Sequence, residues 1–308
     1  MKKWLLILFV LAALLVLTPY ILIPHEMTIS VVELMRANSQ ASSRYLTNES
    51  NWKKMFVKKA AKKSSEFKQP LFTPNRTLAD GVEVMITKNG ISDSSLIHVI
   101  RLNSDSSVIR WTVIIETSSN PLKRSEQYFT AERIRHRMEV ALGKMKRFLE
   151  NEENLYGITV NRTTVKDTLL IATKETFKNY PSVQDIYKLI NLLQNYAKMN
   201  DATQSGYPML DIKTTDSENF QTMVALPVNK ELNDHGPILH KEMVPGNILV
   251  SEVQGGPYTV TNAFNSLQAY VTDHDLQSPA IPFQSLITDR SQQPDSTKWV
   301  TKIYYPIY

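Results

Sequence analysis

The first pattern along the chain is a run with no alternation at all. Trp4 to Ile23 is apolar and carries no charge, a length of about 20 residues. At 1.5 Å per helical residue that spans roughly 30 Å, one hydrocarbon core. Ala12 and Ala13 lie mid-run and the exit, "TPYILIP", has no small-x-small pattern, which favours an uncleaved anchor over a signal peptide. Pro19 and Pro24 are tolerated in a membrane helix and near its end. Lys2 and Lys3 precede the run and favour a cytoplasmic N-terminus. The expectation is a transmembrane anchor over 1–24, with the lipid bilayer as a partner. The protein would be single-pass in the cytoplasmic membrane, its C-terminal domains outside the cytoplasm, on the periplasmic side in a Gram-negative cell.

Patterning from 26 to 157 reads as strand, helix, antiparallel strands, long helix. "EMTISVVELMRA" alternates as a strand. "NSQASSRYL" offers small polar residues suited to a helix start. Doubled lysines then recur at near-helical spacing (Lys53, Lys54, Lys58, Lys59, Lys62, Lys63), a solvated face or a surface for anionic headgroups. "QPLFTPNRTLADG" reads as loop. "GVEVMITKNG", "SSLIHVIRLNSD" and "SVIRWTVIIETS" read as strands joined by turn chemistry. Apolar residues at Ile134, Met138, Ala141, Met145 and Phe148 mark a long amphipathic helix over 130–151.

Beyond Gly157 one pattern occurs twice. "TLLIATKETF" leads to a helix with Ile186, Ile190, Leu193 and Ala197 on one face. "NILVSEVQGGPY" leads to one with Ala263, Leu267, Tyr270 and Val271. The copies close on "FQTMVALPV" and "WVTKIYYPI", and Leu170 is separated from Leu249 as Pro227 is from Pro306. Each unit reads as a strand, a helix and a hairpin, over about 160–228 and 247–308. "NKELNDHGPILHKEMVPG" reads as the linker. In the closing strand Trp299, Thr301, Ile303 and Tyr305 share one face, and Val300, Lys302 and Tyr304 the other.

The doubled unit, with "GGPY" opening the second helix and "WVTKIYYPI" closing the chain, resembles the GyrI-like small-molecule binding domain, the effector-binding domain of multidrug-responsive transcription activators. Residues 26–157, with "ISVVELMRANSQ", Asn51-Trp52 and the long final helix, faintly resemble the START-like polyketide cyclase (SRPBCC) fold. The fold class expected is α+β: a transmembrane helix, a START-like helix-grip domain over 26–157, and a two-repeat GyrI-like domain over 158–308. The resemblance implies a pseudo-symmetric sheet with helices on one side and a ligand cleft between the repeats. In cation-binding relatives a carboxylate often stands where this chain has Lys302, with Met223 at the matching place in repeat one. Some relatives use a pocket carboxylate to hydrolyse reactive small molecules.

The chemistry narrows this further. The chain has 308 residues, a net charge of +5 and no cysteine. Structural disulfides, thiol nucleophiles and Cys-ligated zinc are excluded. There is no HExxH, GxSxG or phosphate-binding glycine loop in the sequence. No cofactor, metal or nucleic-acid partner is expected. Candidate ligand-binding residues are Lys302, Tyr304, Tyr258, Tyr187, Met223 and Glu252, with no catalytic residue assigned. Lys302 in a cleft favours an anionic or neutral ligand. The reading is a membrane-anchored protein binding a small amphipathic molecule, more a binder than an enzyme. The alternative is a hydrolase in which Glu252 or Glu175 replaces the missing strand acid. A third reading, an interaction protein with filled pockets, stays open.

Overall fold

The computed structural model describes residues 2–56, 72–78, 81–88, 91–166, 168–216 and 219–308. The chain forms two compact units, Met1–Asn151 and Glu152–Tyr308.

The first unit opens with α1 (Lys2–Leu22), helical over 21 residues. Among the described residues no helix is long and apolar enough to cross a membrane. The side chains of Leu5, Leu6, Ala12, Ala13, Leu15 and Val16, inside α1, lie outside the described set. The end of α1 is held by Arg124, whose Nε and Nη2 donate to the Ile23 carbonyl at 2.9 and 2.6 Å. Its guanidinium also stands 5.3 Å from the centre of the Tyr20 ring.

Then follow β1 (Glu26–Met35), α2 (Ser39–Leu46), α3 (Glu49–Phe56), β2 (Phe72–Thr77), β3 (Gly81–Lys88), β4 (Ile91–Arg101), β5 (Ser107–Glu116) and α4 (Pro121–Leu149). The strands form one antiparallel sheet in the order β1-β5-β4-β3-β2. The Asn38 side chain caps α2 by accepting from the Gln40 and Ala41 amides. The helix expected over 130–151 begins earlier, at Pro121, because Asn120 caps it and Pro121 suits the first helical position. Its buried stripe is Ala131, Ile134, Met138, Ala141, Leu142, Met145 and Leu149. Inside the sheet Trp111 is fully buried, donates to Ser95 Oγ at 2.9 Å and meets Phe72 edge-on.

One expectation changes here, and another falls mostly outside the described residues. Part of "QPLFTPNRTLADG" is strand β2, not loop. It is an edge strand with its register broken between Pro74 and Arg76, where proline costs no ladder bond. Of the lysine run, Lys54 lies exposed on α3, while Lys58, Lys59, Lys62, Lys63 and the Lys53 side chain fall outside the described residues.

The second unit contains α5 (Glu152–Tyr156), β6 (Asn161–Thr164), β7 (Leu169–Phe177), α6 (Val183–Met199), β8 (Met209–Asp216), β9 (Asn219–Pro227), β10 (Leu239–Glu242), β11 (Asn247–Gln254), α7 (Pro257–Asp273), β12 (Phe283–Leu286) and β13 (Val300–Ile307). The sheet order is β10-β7-β9-β8-β12-β13-β11-β6. Each repeat is strand, helix, hairpin, and the two meet at β8 and β12. The edges are exchanged: β6 opens repeat one but pairs with β11 of repeat two, and β10 precedes repeat two but pairs with β7. The segment read as a linker therefore supplies a strand. Alternation alone missed β10 because four residues at a sheet edge bury little.

α6 starts on a capping box, Ser182 with Asp185. α7 starts after Gly255, at φ 147°, where a Cβ would lie 2.4 Å from Thr259 Oγ1. Its buried residues are Val260, Ala263, Leu267, Val271 and Asp273. The core under α6 joins Ile186, Leu189, Ile190 and Leu193 to Ile171, Leu210, Val224 and Leu226. The repeat offset holds for β9 and β13 but slips by one between β7 and β11. Ile171 lies opposite Leu226 and Leu249 opposite Tyr305, so Ile171 corresponds to Leu249. Leu170 turns to the other face with Ala172 and Ala225.

Candidate functional site: the open face of the eight-stranded sheet

Helices α6 and α7 cover one face of the sheet, and the register fixes which side chains point the other way. On β13, Thr301, Ile303 and Tyr305 are buried toward the helices, and the Tyr305 hydroxyl donates to Gln268 of α7. Lys302 and Tyr304 therefore point to the open face. Lys302 lies opposite Glu252 on one side and Ser285 on the other. Ser285 in turn lies opposite Met209, across the boundary between the repeats. Tyr304 lies opposite Val250 and Phe283.

These residues line a cavity of about 570 Å3 on the open face, with Asn161, Thr163, Ile248 and Met243 among its other walls. The exchanged strand β6 and the residue after β10 thus close two of its sides. The Tyr304 and Phe283 rings stack with centroids 5.0 Å apart and planes 12° from parallel. Lys302 Nζ lies 3.6 Å from Glu252 Oε2, with side chains 38% and 58% exposed. The cavity thus offers a flat aromatic wall beside the Lys302–Glu252 pair, with Lys166 as a further charged lining residue. A ligand with a flat apolar body and one polar or charged group matches that arrangement.

Of the residues singled out from sequence, Lys302, Tyr304 and Glu252 line this one cavity. Met223 lies on the same face, opposite Lys174 and Asp211, but is not among the lining residues. Tyr258 does not join them: it is 80% exposed in the first turn of α7. Tyr187 and Glu175 line a different cavity, on the helix side of the sheet. Position within a repeat says nothing of which face a helical residue shows. Phe283, Ser285, Met209 and Met243 were missed. Alternation in "FQSL" would have placed Phe283 and Ser285 with Lys302 had its register been known.

Asp211 adds a carboxylate on the same face. Burial pushes its pKa above the ordinary value, and Lys213, 3.8 Å away, opposes that shift. Among the described residues no group of three or more His, Asp or Glu side chains could hold a metal ion.

No family model matches the chain, and no curated protein matches it. Among solved structures it is similar to the EcmrR C-terminal domain, with 18% identity and a TM-score of 0.42 over 49% of this chain and 98% of that one. It is similar to SAV2435 bound to tetraphenylphosphonium, with 17% identity and a TM-score of 0.34 over 49% of this chain and 94% of that one. It is also similar to a hydrolase from Listeria innocua, with 9% identity and a TM-score of 0.36 over 48% of this chain and 91% of that one. These are low-identity likenesses over about half of the chain.

Proposed function

We propose that the chain is a membrane-anchored, non-enzymatic protein that binds a small amphipathic molecule on the open face of its second unit. The carrying observation is the cavity of about 570 Å3 beside the boundary between the repeats, with Tyr304 and Phe283 as its flat wall and Lys302 and Glu252 at its mouth. The resemblance to GyrI-like effector-binding domains, stated from the sequence, points the same way. Two features favour binding over hydrolysis. Glu252 is more than half exposed and held beside Lys302, and Glu175 lies on the other face of the sheet. A general acid or base must reach the reacting atom, and neither is placed in the depth of the cavity.

The anchor is α1, on which Trp4, Phe9 and Ile21 are 79%, 74% and 78% exposed. Bare apolar surface of that kind on a single helix calls for a nonaqueous partner. The START-like reading of the first unit rests on its element order: a strand, two short helices, antiparallel strands, and a long helix against the first strand. The test is calorimetric titration of purified protein with naphthalene-bearing amphiphiles: one neutral, one anionic, one cationic. Saturable binding that is lost in Val250→Trp, which fills the cavity, supports the reading. Equal binding by both proteins, or none by the wild type, contradicts it.

A further inference from the structure

The helix side of the same sheet holds a second feature that the open-face cavity does not use. Arg290, in the connection between β12 and β13, is only 8% exposed. Its Nη2 donates to Thr301 Oγ1 at 2.9 Å and to Gln284 Oε1 at 3.3 Å, both neutral acceptors. Its Nε is buried with no hydrogen-bond partner. No carboxylate pairs with it among the described residues. Neighbouring Asp289 is already engaged, accepting from the Ser291 amide and hydroxyl at 2.9 and 2.6 Å. The guanidinium stands 4.8 Å from the centre of the Trp299 ring.

A buried guanidinium without a counter-ion is costly, because desolvation is not offset by a charge partner. Burial lowers its pKa, with the Tyr187 and Tyr180 hydroxyls acting in the opposite sense. Arginine does not lose its proton in proteins, so an anion from outside is the natural relief. Space exists for one. Arg290 and Trp299 line a cavity of about 990 Å3 with Tyr187, Leu192 and Pro294. Its charged lining residues are Arg290 and Lys188 against Glu175, a net positive balance.

We infer that this helix-side cavity binds an organic anion, its carboxylate or other oxyanion head on Arg290 and its apolar body against Trp299 and Leu192. The Tyr187 hydroxyl fixes the loop by accepting from the Arg290 amide at 2.6 Å, so the guanidinium is presented from a braced backbone. The site lies on the opposite face of the sheet from Lys302 and does not depend on the ligand bound there.

The experiment is calorimetry on the full-length protein in nonionic detergent, with phenylbutyrate as the anion and phenylbutylamine as its cationic counterpart. Wild type binds phenylbutyrate saturably at millimolar concentrations and the amine far more weakly. Arg290→Met lowers phenylbutyrate affinity by about tenfold or more, the scale of one charge-assisted hydrogen bond. Leu192→Trp, on a partly exposed helix position, blocks the cavity and weakens binding equally while leaving Arg290 intact. The Arg290-dependent binding persists in Lys302→Met, whatever that change does to binding on the open face. If Arg290→Met does not fold, Leu192→Trp and the preference over the amine decide. Absence of saturable binding, or unchanged affinity in Leu192→Trp or in folded Arg290→Met, overturns the inference. Loss of binding in Lys302→Met instead overturns it too, by placing the anion on the open face.

Discussion

Lys302 and Glu252 stand directly opposite each other across β13 and β11, with Nζ and Oε2 3.6 Å apart. The lysine of β13 is thus met by an acid from the neighbouring strand. The cavity lining carries both signs of charge, Glu252 against Lys302 and Lys166. Because both side chains are more than a third exposed, the pair adds little to stability, on the order of 0–1 kcal/mol. Its consequence is for ligand charge.

Lys302→Glu sets two carboxylates at the mouth. Affinity for cationic amphiphiles is expected to rise and that for anionic ones to fall, by about 5- to 150-fold for a close charged contact. The melting temperature should change by little. Calorimetry with the charged naphthalene amphiphiles, paired with a thermal melt, checks both expectations. Unchanged affinities for either sign would place Lys302 outside the binding surface.

The second unit is expected to fold alone, and its boundary matters. Tyr156 of α5 donates to Asp273 Oδ2 at 2.9 Å and meets the Tyr270 ring edge-on at 5.2 Å. Asp273 is only 2% exposed. A fragment 152–308 should melt cooperatively, and a fragment 158–308, lacking Tyr156, at a lower temperature. A buried hydrogen bond to a charged group is worth about 1.5–3 kcal/mol. Equal melting temperatures would show that α5 contributes nothing.

Asp211 supplies a pH test. Its folded pKa is raised above the unfolded value, chiefly by burial. The stability it contributes is full at pH below the unfolded pKa and is lost as pH rises through the folded one. At neutral pH the charged carboxylate is therefore a cost, and Asp211→Asn should raise the melting temperature. The gain should shrink as pH falls toward the ordinary carboxylate range, about 4. A melting series across that range decides; a variant less stable than wild type at neutral pH would show that the interaction with Lys213 outweighs burial.

Much of the second unit was legible because both repeats alternate strongly. Ile186, Ile190, Leu193 and Ala197 form the buried stripe of α6 where the spacing placed them. Lys302 and Tyr304 share the open face because a strand's side-chain period is two. What was not legible is what closes the cavity. β6 and β10 have four residues each and pair across repeats, so no local pattern announces them. Ion pairing was equally hidden, since Glu252 and Lys302 meet only through the strand register. Arg290 carried no sequence signal, being a single basic residue in an irregular connection.

The placement of α1 has its own test. The full-length protein should sediment with membranes and resist extraction by alkaline carbonate, and protease added to spheroplasts should digest the second unit. Full-length protein in the soluble fraction would remove the anchor. Digestion only after lysis would reverse the orientation.

We place an amphipathic molecule on the open face between the repeats. Methyl NMR of methionine-labelled protein reads this directly, since Met209 and Met243 line the cavity while Met199, 83% exposed at the end of α6, does not. Titration with the neutral naphthalene amphiphile should shift the Met209 and Met243 methyls together and saturably, with Met199 unmoved. A saturating titration in which neither cavity methyl moves, or in which Met199 moves with them, would place the ligand elsewhere.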